Sequence, residues 1–111
     1  GTPGGSRIVT MVLLGLFELM EGKGAQATAD APRFHHQYLP DQLSAEPEAF
    51  TAAEVAALKA RGHDVAIGDR SWGNMQVVLW NRATGEAEAV TDGRWKGVRK
   101  GSSTEKGSIY R

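Results

Sequence analysis

The sequence contains no cysteine. That excludes a disulfide framework, thiol catalysis and thiolate metal sites, and it leaves the redox compartment open. It carries no net charge, with 13 Lys and Arg against 13 Asp and Glu. No global preference for nucleic acid or for an anionic membrane follows. The apolar run at residues 8–20 is closed by Glu18 and Glu21 and falls short of the ~20 residues a membrane span requires. There is no charged leader before the first turn, so no signal peptide is read. The chain also lacks an initiator Met. Together with its abrupt start in a glycine turn, this leads to the expectation of a piece cut from a larger protein. No internal repeat is present. A chain of 111 residues supports one domain with a modest core.

What is present reads as mixed helices and strands, an α/β (more narrowly α+β) chain. Residues 8–21 are apolar on nearly every face, and Gly22-Lys23-Gly24 supplies an αL-compatible stop. This is expected to be a buried core helix. Being hydrophobic all round, it needs cover on all sides. So small a chain can hardly provide that cover, and partner structure is expected to be missing. A short helix at Ala25–Asp30 is expected to run until Pro32 stops it. Residues 37–47 read as an extended loop with a short strand at 42–46. Thr51 with Glu54 forms a capping box, and Phe50 with Val55 a hydrophobic staple, at the head of a helix over 52–61 that Gly62 ends. Strands are expected at 63–67, with Val65 and Ile67 on one face, at 75–80 and at 86–91. The last two form a hairpin around Ala83-Thr84-Gly85. From Gly93 onward the composition is Gly, Ser, Lys and Arg, which reads as a loosely ordered basic tail.

Two stretches invite chemistry. Gly1-Thr2-Pro3-Gly4-Gly5-Ser6-Arg7-Ile8 is a glycine-rich turn running into the apolar helix. Gly4 and Gly5 permit φ > 0 and leave no side chain to block a ligand. The first N–H groups of the helix lack intrahelical partners and carry the positive end of its dipole. The result is a socket for a carboxylate, a phosphate or the oxyanion of an acyl-transfer intermediate. No Gly-Lys-Ser/Thr closes a P-loop, and the glycine spacing is not that of a dinucleotide fingerprint. Taken alone, a tight strand-to-helix connection is the better account. The second stretch is Ala31-Pro32-Arg33-Phe34-His35-His36-Gln37-Tyr38-Leu39-Pro40-Asp41. Adjacent His35 and His36 point in different directions on any regular element, His63 is distant, and no carboxylate spacing supports zinc. A structural role is expected for them, and no metal or cofactor is read. Trp72, Trp80 and Trp95 are expected to be packing aromatics, and Asp92 with Arg94 a structural ion pair.

Pro3-Gly4-Gly5-Ser6, Pro32-Arg33-Phe34-His35-His36-Gln37, Gly73-Asn74-Met75-Gln76 and Thr91-Asp92-Gly93-Arg94, in this order, resemble the C-terminal part of the small subunit of γ-glutamyltranspeptidases (glutathione hydrolases). Gly93 stands where that family commonly has Pro, which makes the turn less rigid. The resemblance runs from the first turn to about Arg94. It implies two regions: a family-like portion at 1–94 and a basic tail at 95–111, for which solvated chain is the expected state. It also implies part of an αββα N-terminal nucleophile hydrolase. In such an enzyme a precursor cleaves itself, and the exposed N-terminal Thr takes the γ-glutamyl group and passes it to water or an amine. By the same resemblance, Gly4 and Gly5 are oxyanion-hole and substrate-contacting glycines, and Arg33, His35 and His36 are framework residues.

None of this chain's threonines sits in the nucleophile context. The implied partners are therefore the large subunit, the N-terminal part of the small subunit, and glutathione or another γ-glutamyl substrate. The chain alone is expected to be inactive. A periplasmic or extracellular compartment is implied by the family only. Another acylase of the same superfamily, or a binding module using the basic tail, remain as other readings. Nucleic acid is not an expected partner.

Overall fold

The structure, a computed structural model, describes residues 1–94 and 109–110. A 3-10 turn at Gly5–Arg7 leads without a break into helix α1 (Ile8–Met20), followed by α2 (Ala25–Asp30). Gly22, at φ 84°, takes the left-handed conformation that ends α1. Strand β1 (Phe34–His35) pairs antiparallel with β2 (Leu43–Ala45). Helix α3 (Ala52–Ala60) then carries the chain to β3 (Val65–Ile67), which lies parallel to β2. A second sheet holds β4 (Gln76–Asn81), β5 (Glu86–Thr91) and β6 (Ile109–Tyr110), each antiparallel to its neighbour.

Local chemistry explains the element ends. The Thr51 hydroxyl accepts from Glu54 N at 3.2 Å, and Glu54 Oε2 accepts from Thr51 N at 2.7 Å, so the expected capping box closes α3 at its head. In the β4–β5 hairpin, Asn81 Oδ1 accepts from Ala83 N and Thr84 N, and Gly85 adopts φ 77°. These contacts set the register that pairs Asn81 with Glu86 and Gln76 with Thr91.

The core lies between the two N-terminal helices and one face of β4–β5. It consists of Met11, Ala25, Ala29, Met75, Val77 and Val90, with Trp72 and Leu79 packed against it. Small residues allow this. At Gly15 an added Cβ would already touch Met75 Cε and Thr28 Cγ2, each at 3.6 Å, so α1 and α2 approach closely there.

Several expectations are corrected. Helix α1 is not buried: only Met11 and Gly15 are, whereas Val9 is 77% exposed and Met20 80%. Val9, Leu13, Leu16 and Met20 recur at helical spacing and form one continuous apolar stripe. In β3, Val65 is buried but Ile67, at the strand end, is exposed. Trp80 is exposed as well, on the outer face of β4, with Arg82 over its ring at 5.3 Å. The tail is not wholly irregular, because residues 109–110 add the third strand beside β5. The rest of the tail, Trp95 included, lies outside the described residues.

A continuous exposed apolar stripe marks an interaction surface or an aggregation liability. The isolated chain is therefore expected to bind an apolar fluorescent dye and to self-associate. Replacing Leu13, Leu16 and Met20 together with Gln should abolish both while shifting the unfolding free energy by less than about 1 kcal/mol. Dye titration and sedimentation check this.

Candidate active site

The turn before α1 has the backbone geometry of a two-pronged donor. Gly4 has φ 153° and ψ 17°, a combination closed to residues bearing a Cβ. The small ψ brings the nitrogens of Gly4 and Gly5 to the same side of the Gly4 Cα–C bond. The φ swings the Gly4 N–H into that same plane. The two N–H bonds therefore tilt toward each other and converge on one point in front of the turn. Gly4 and Gly5 are exposed, and no described residue accepts a hydrogen bond from either N–H. Gly5, at φ 57°, has open space where a Cβ would stand. At Gly4 a Cβ would overlap the Cε of fully buried Met11. Glycine is thus required at Gly4 by both space and conformation, and at Gly5 by conformation.

The turn is anchored on the segment that enters β4. Gly1 O accepts from Gln76 N at 2.7 Å, and Gly1 N donates to Gln76 O at 2.7 Å. Thr2 Oγ1 accepts from Asn74 N at 2.9 Å. The Arg7 guanidinium stacks on Trp72, 4.1 Å from the ring centroid. Beside it opens a cleft of about 260 Å³ lined by Arg7, Ser44, Gly68, Arg70 and Trp72 among others.

Residues 72–75 are in turn fixed by four buried charges. Arg33 Nη2 meets Asp92 Oδ2 at 2.8 Å, and Arg94 embraces Glu46 through Nε–Oε1 at 2.9 Å and Nη2–Oε2 at 2.7 Å. Asp92 Oδ2 also accepts from Met75 N, Glu46 Oε1 from Trp72 N, and Arg33 Nη1 donates to Trp72 O. Ala29 O at the end of α2 receives both Arg33 Nη2 and Arg94 Nη1. Burial pulls the Arg33 guanidinium below its ordinary range, and the Asp92 carboxylate opposes this. Two cations and two anions leave the cluster neutral, and its lone pairs and protons are engaged with backbone.

The Asp92–Arg94 pairing read from the sequence exists at 3.5 Å, but each residue has a closer partner, Arg33 for Asp92 and Glu46 for Arg94. Sequence reasoning passed over Glu46. Its only signal was an acid between an apolar strand and Pro47.

The histidine segment is occupied structurally. Gln37 Nε2 donates to Leu39 O, so its Oε1 faces His35 Nε2 at 2.9 Å and Ser6 Oγ at 2.9 Å. His35 Nδ1 and the Thr10 hydroxyl are hydrogen-bonded at 2.8 Å. His36 turns away to Asp41 at 3.0 Å. The two rings do not converge on one point, and the glycine turn is brought beside His35 through Ser6 and Gln37 and through Arg7 stacked on Trp72, which meets His35 edge-on. Among the described residues no helix is long and apolar enough to cross a membrane.

Comparison with known proteins gives one consistent answer. The model of the family described as gamma-glutamyltranspeptidase matches residues 1–102. The chain is 39% identical over 80 residues to the glutathione hydrolase proenzyme of Escherichia coli, covering 71% of this chain but 13% of that one. It superposes on the gamma-glutamyltranspeptidase of Pseudomonas nitroreducens complexed with L-DON with a TM-score of 0.76 at 32% identity, covering 88% of this chain and 51% of the other. The transpeptidase CapD of Bacillus anthracis shares the fold at a TM-score of 0.71 and 21% identity. These structural neighbours are N-terminal nucleophile hydrolases, in keeping with the mixed helices and strands.

Removing one member of the buried cluster strands its partner. Asp92→Ala leaves Arg33 charged and buried, with Met75 N unbonded. It should lower the unfolding free energy by about 3–5 kcal/mol. Val78→Ala, on the exposed face of β4, should lower it by less than about 0.5 kcal/mol. Denaturant unfolding monitored by tryptophan fluorescence measures both.

Proposed function

The chain belongs to the γ-glutamyltranspeptidase family, and from that premise we propose that it works as the C-terminal portion of a γ-glutamyltransferase and glutathione hydrolase, contributing Gly4 and Gly5 as the oxyanion donors. Members of the family are γ-glutamyltransferring and hydrolysing enzymes. The chain spans 13% of the length of the Escherichia coli relative, so on this reading the nucleophile comes from elsewhere in the enzyme.

The mechanism then runs as follows. An N-terminal Thr, its own α-amine serving as base, attacks the γ-glutamyl carbonyl of glutathione or a related amide. The carbonyl oxygen gains a negative charge as the carbon becomes tetrahedral. The N–H groups of Gly4 and Gly5 meet that charge without reorganising. The α-ammonium gives the proton to the leaving nitrogen as the C–N bond breaks and the amine departs, and water or an amino-acid amine, deprotonated by the same α-amine, then takes the acyl group from Thr, whose oxygen regains its proton. The observation that carries this reading is the pair of convergent N–H bonds, without an acceptor among the described residues, held in a glycine-only conformation. Residues 1–94 form the working portion, and residues 95–111 the basic tail. The apolar stripe of α1 packs against the remainder of the enzyme. A periplasmic or extracellular location accompanies this assignment.

A second reading, another acylase of the superfamily, has the fold shared with CapD in its favour. The donor turn would serve any amide. The two differ in which amide is cleaved.

In the complete enzyme, Gly5→Val should lower kcat for a γ-glutamyl anilide by at least about a hundredfold, because a β-branched residue cannot hold φ 57°. An unchanged kcat would remove Gly5 from the site. The isolated 111-residue chain should show no anilide release above buffer, and measurable turnover there would overturn the proposed division of labour.

A further inference from the structure

We propose that Thr2 is a positioning residue for the oxyanion donors, its hydroxyl setting the peptide plane that carries the Gly4 N–H. This rests on the oxyanion reading above and extends it to a side chain outside the glycine pair.

A peptide group is rigid and planar, with its C=O and N–H antiparallel. Whatever holds the Pro3 carbonyl therefore holds the Gly4 N–H, and whatever holds the Gly4 carbonyl holds the Gly5 N–H. Both carbonyls are held. Gly4 O accepts from Arg7 N at 3.1 Å, the ordinary closing bond of the 3-10 turn. Pro3 O accepts from the Thr2 hydroxyl at 3.0 Å. The second bond is the unusual one, because it comes from a side chain.

The hydroxyl is itself oriented. It accepts from Asn74 N at 2.9 Å, so its proton is free to go to Pro3 O. It also sits over Gly73, where an added Cβ would lie 2.6 Å from Thr2 Oγ1. Glycine at that position, with φ 77°, makes room for it. Pro3 has no N–H to compete for the hydroxyl, and its φ is fixed by the ring. The result is a relay from Asn74 N–H through the Thr2 hydroxyl to the Pro3–Gly4 amide. Each bond in such a chain polarises the next, so a carbonyl that accepts a hydrogen bond also makes its own N–H a stronger donor. Thr2 thus aims one prong of the donor pair and strengthens it. Asn74 lies next to Met75, whose N–H rests on Asp92. The relay therefore starts beside a peptide that the buried ion cluster holds.

The test uses the complete enzyme carrying Thr2→Val, Thr2→Ala, Thr2→Ser or Gly5→Val, with steady-state kinetics on a γ-glutamyl anilide and a thermal unfolding scan for each. Thr2→Val and Thr2→Ala should lower kcat and kcat/KM together by roughly ten- to a hundredfold. KM should stay at its wild-type value, because the aimed donor meets charge only in the transition state, and the thermal midpoint should fall by no more than about 2 °C, from the Asn74 N–H losing its partner. Thr2→Ser, which keeps the hydroxyl, should restore kcat. If Gly5→Val lowers kcat while Thr2→Val and Thr2→Ala retain wild-type kcat, the positioning role is wrong and the oxyanion reading stands. If Gly5→Val leaves kcat intact, the oxyanion reading fails first. A kcat loss that tracks a falling midpoint, or that Ser does not restore, makes Thr2 a structural residue only and overturns the proposal.

Discussion

Arg33 and Asp92 meet at 2.8 Å with side chains 3% and 0% exposed, and most of the described structure is tied to that contact. Stripping water from two full charges is expensive, and their attraction offsets it only when every remaining donor and acceptor is used. Here they are used on backbone: Ala29 O from α2, Trp72 O, and Met75 N at the entry to β4. Glu46 and Arg94 repeat the arrangement one step outward, joining β2 to the end of β5. The cluster substitutes for the larger apolar core that the described residues cannot build. Its centre is Met11, two alanines, Met75 and two valines, which alone would leave the two sheets loosely connected.

The same cluster explains how a strained turn persists on an exposed surface. Gly4 lies in a conformation other residues avoid, and such backbone survives only when its surroundings over-determine it. Met11 fills the space beneath Gly4. Gly1 is paired to Gln76 and Thr2 to Asn74, on a segment whose neighbours Trp72 and Met75 are held by Glu46 and Asp92. Rigidity therefore passes from the buried charges, through residues 72–76, to the amides of Gly4 and Gly5. On the proposed function, such a foundation would fix the donors before a charge develops, so that they need no reorganisation when it does.

How much of this could be read beforehand depended on range. Elements set by neighbours in sequence were legible: the Thr51–Glu54 box, the Gly22 stop, the hairpin around Gly85, and the short strand before Glu46 all follow from three or four adjacent residues. The glycine pair heading an apolar helix was legible as a turn with positive φ, whereas its role as an oxyanion donor comes from the family resemblance and is a proposal. The contacts that matter most were not legible. Arg33 and Asp92 are 59 residues apart and Glu46 and Arg94 are 48, and nothing in local composition pairs one charge with another over such distances. Thr2 looked like any small polar residue, because its role depends on where Asn74 lies. The exposure of α1 was misjudged because its composition describes what covers it in a complete enzyme, whereas burial here reflects the described residues alone. The expectation of missing partner structure came from the same all-round apolarity, and the stripe of Val9, Leu13, Leu16 and Met20 agrees with it.

The account turns on where the developing negative charge is held. The most direct measurement is a crystal structure of the complete enzyme with a covalent inhibitor that leaves a tetrahedral centre on the nucleophile. The account predicts its oxyanion within about 2.7–3.1 Å of both Gly4 N and Gly5 N, with the Thr2 hydroxyl still on Pro3 O. An oxyanion bound by other groups, with the two amides turned to solvent, would contradict it.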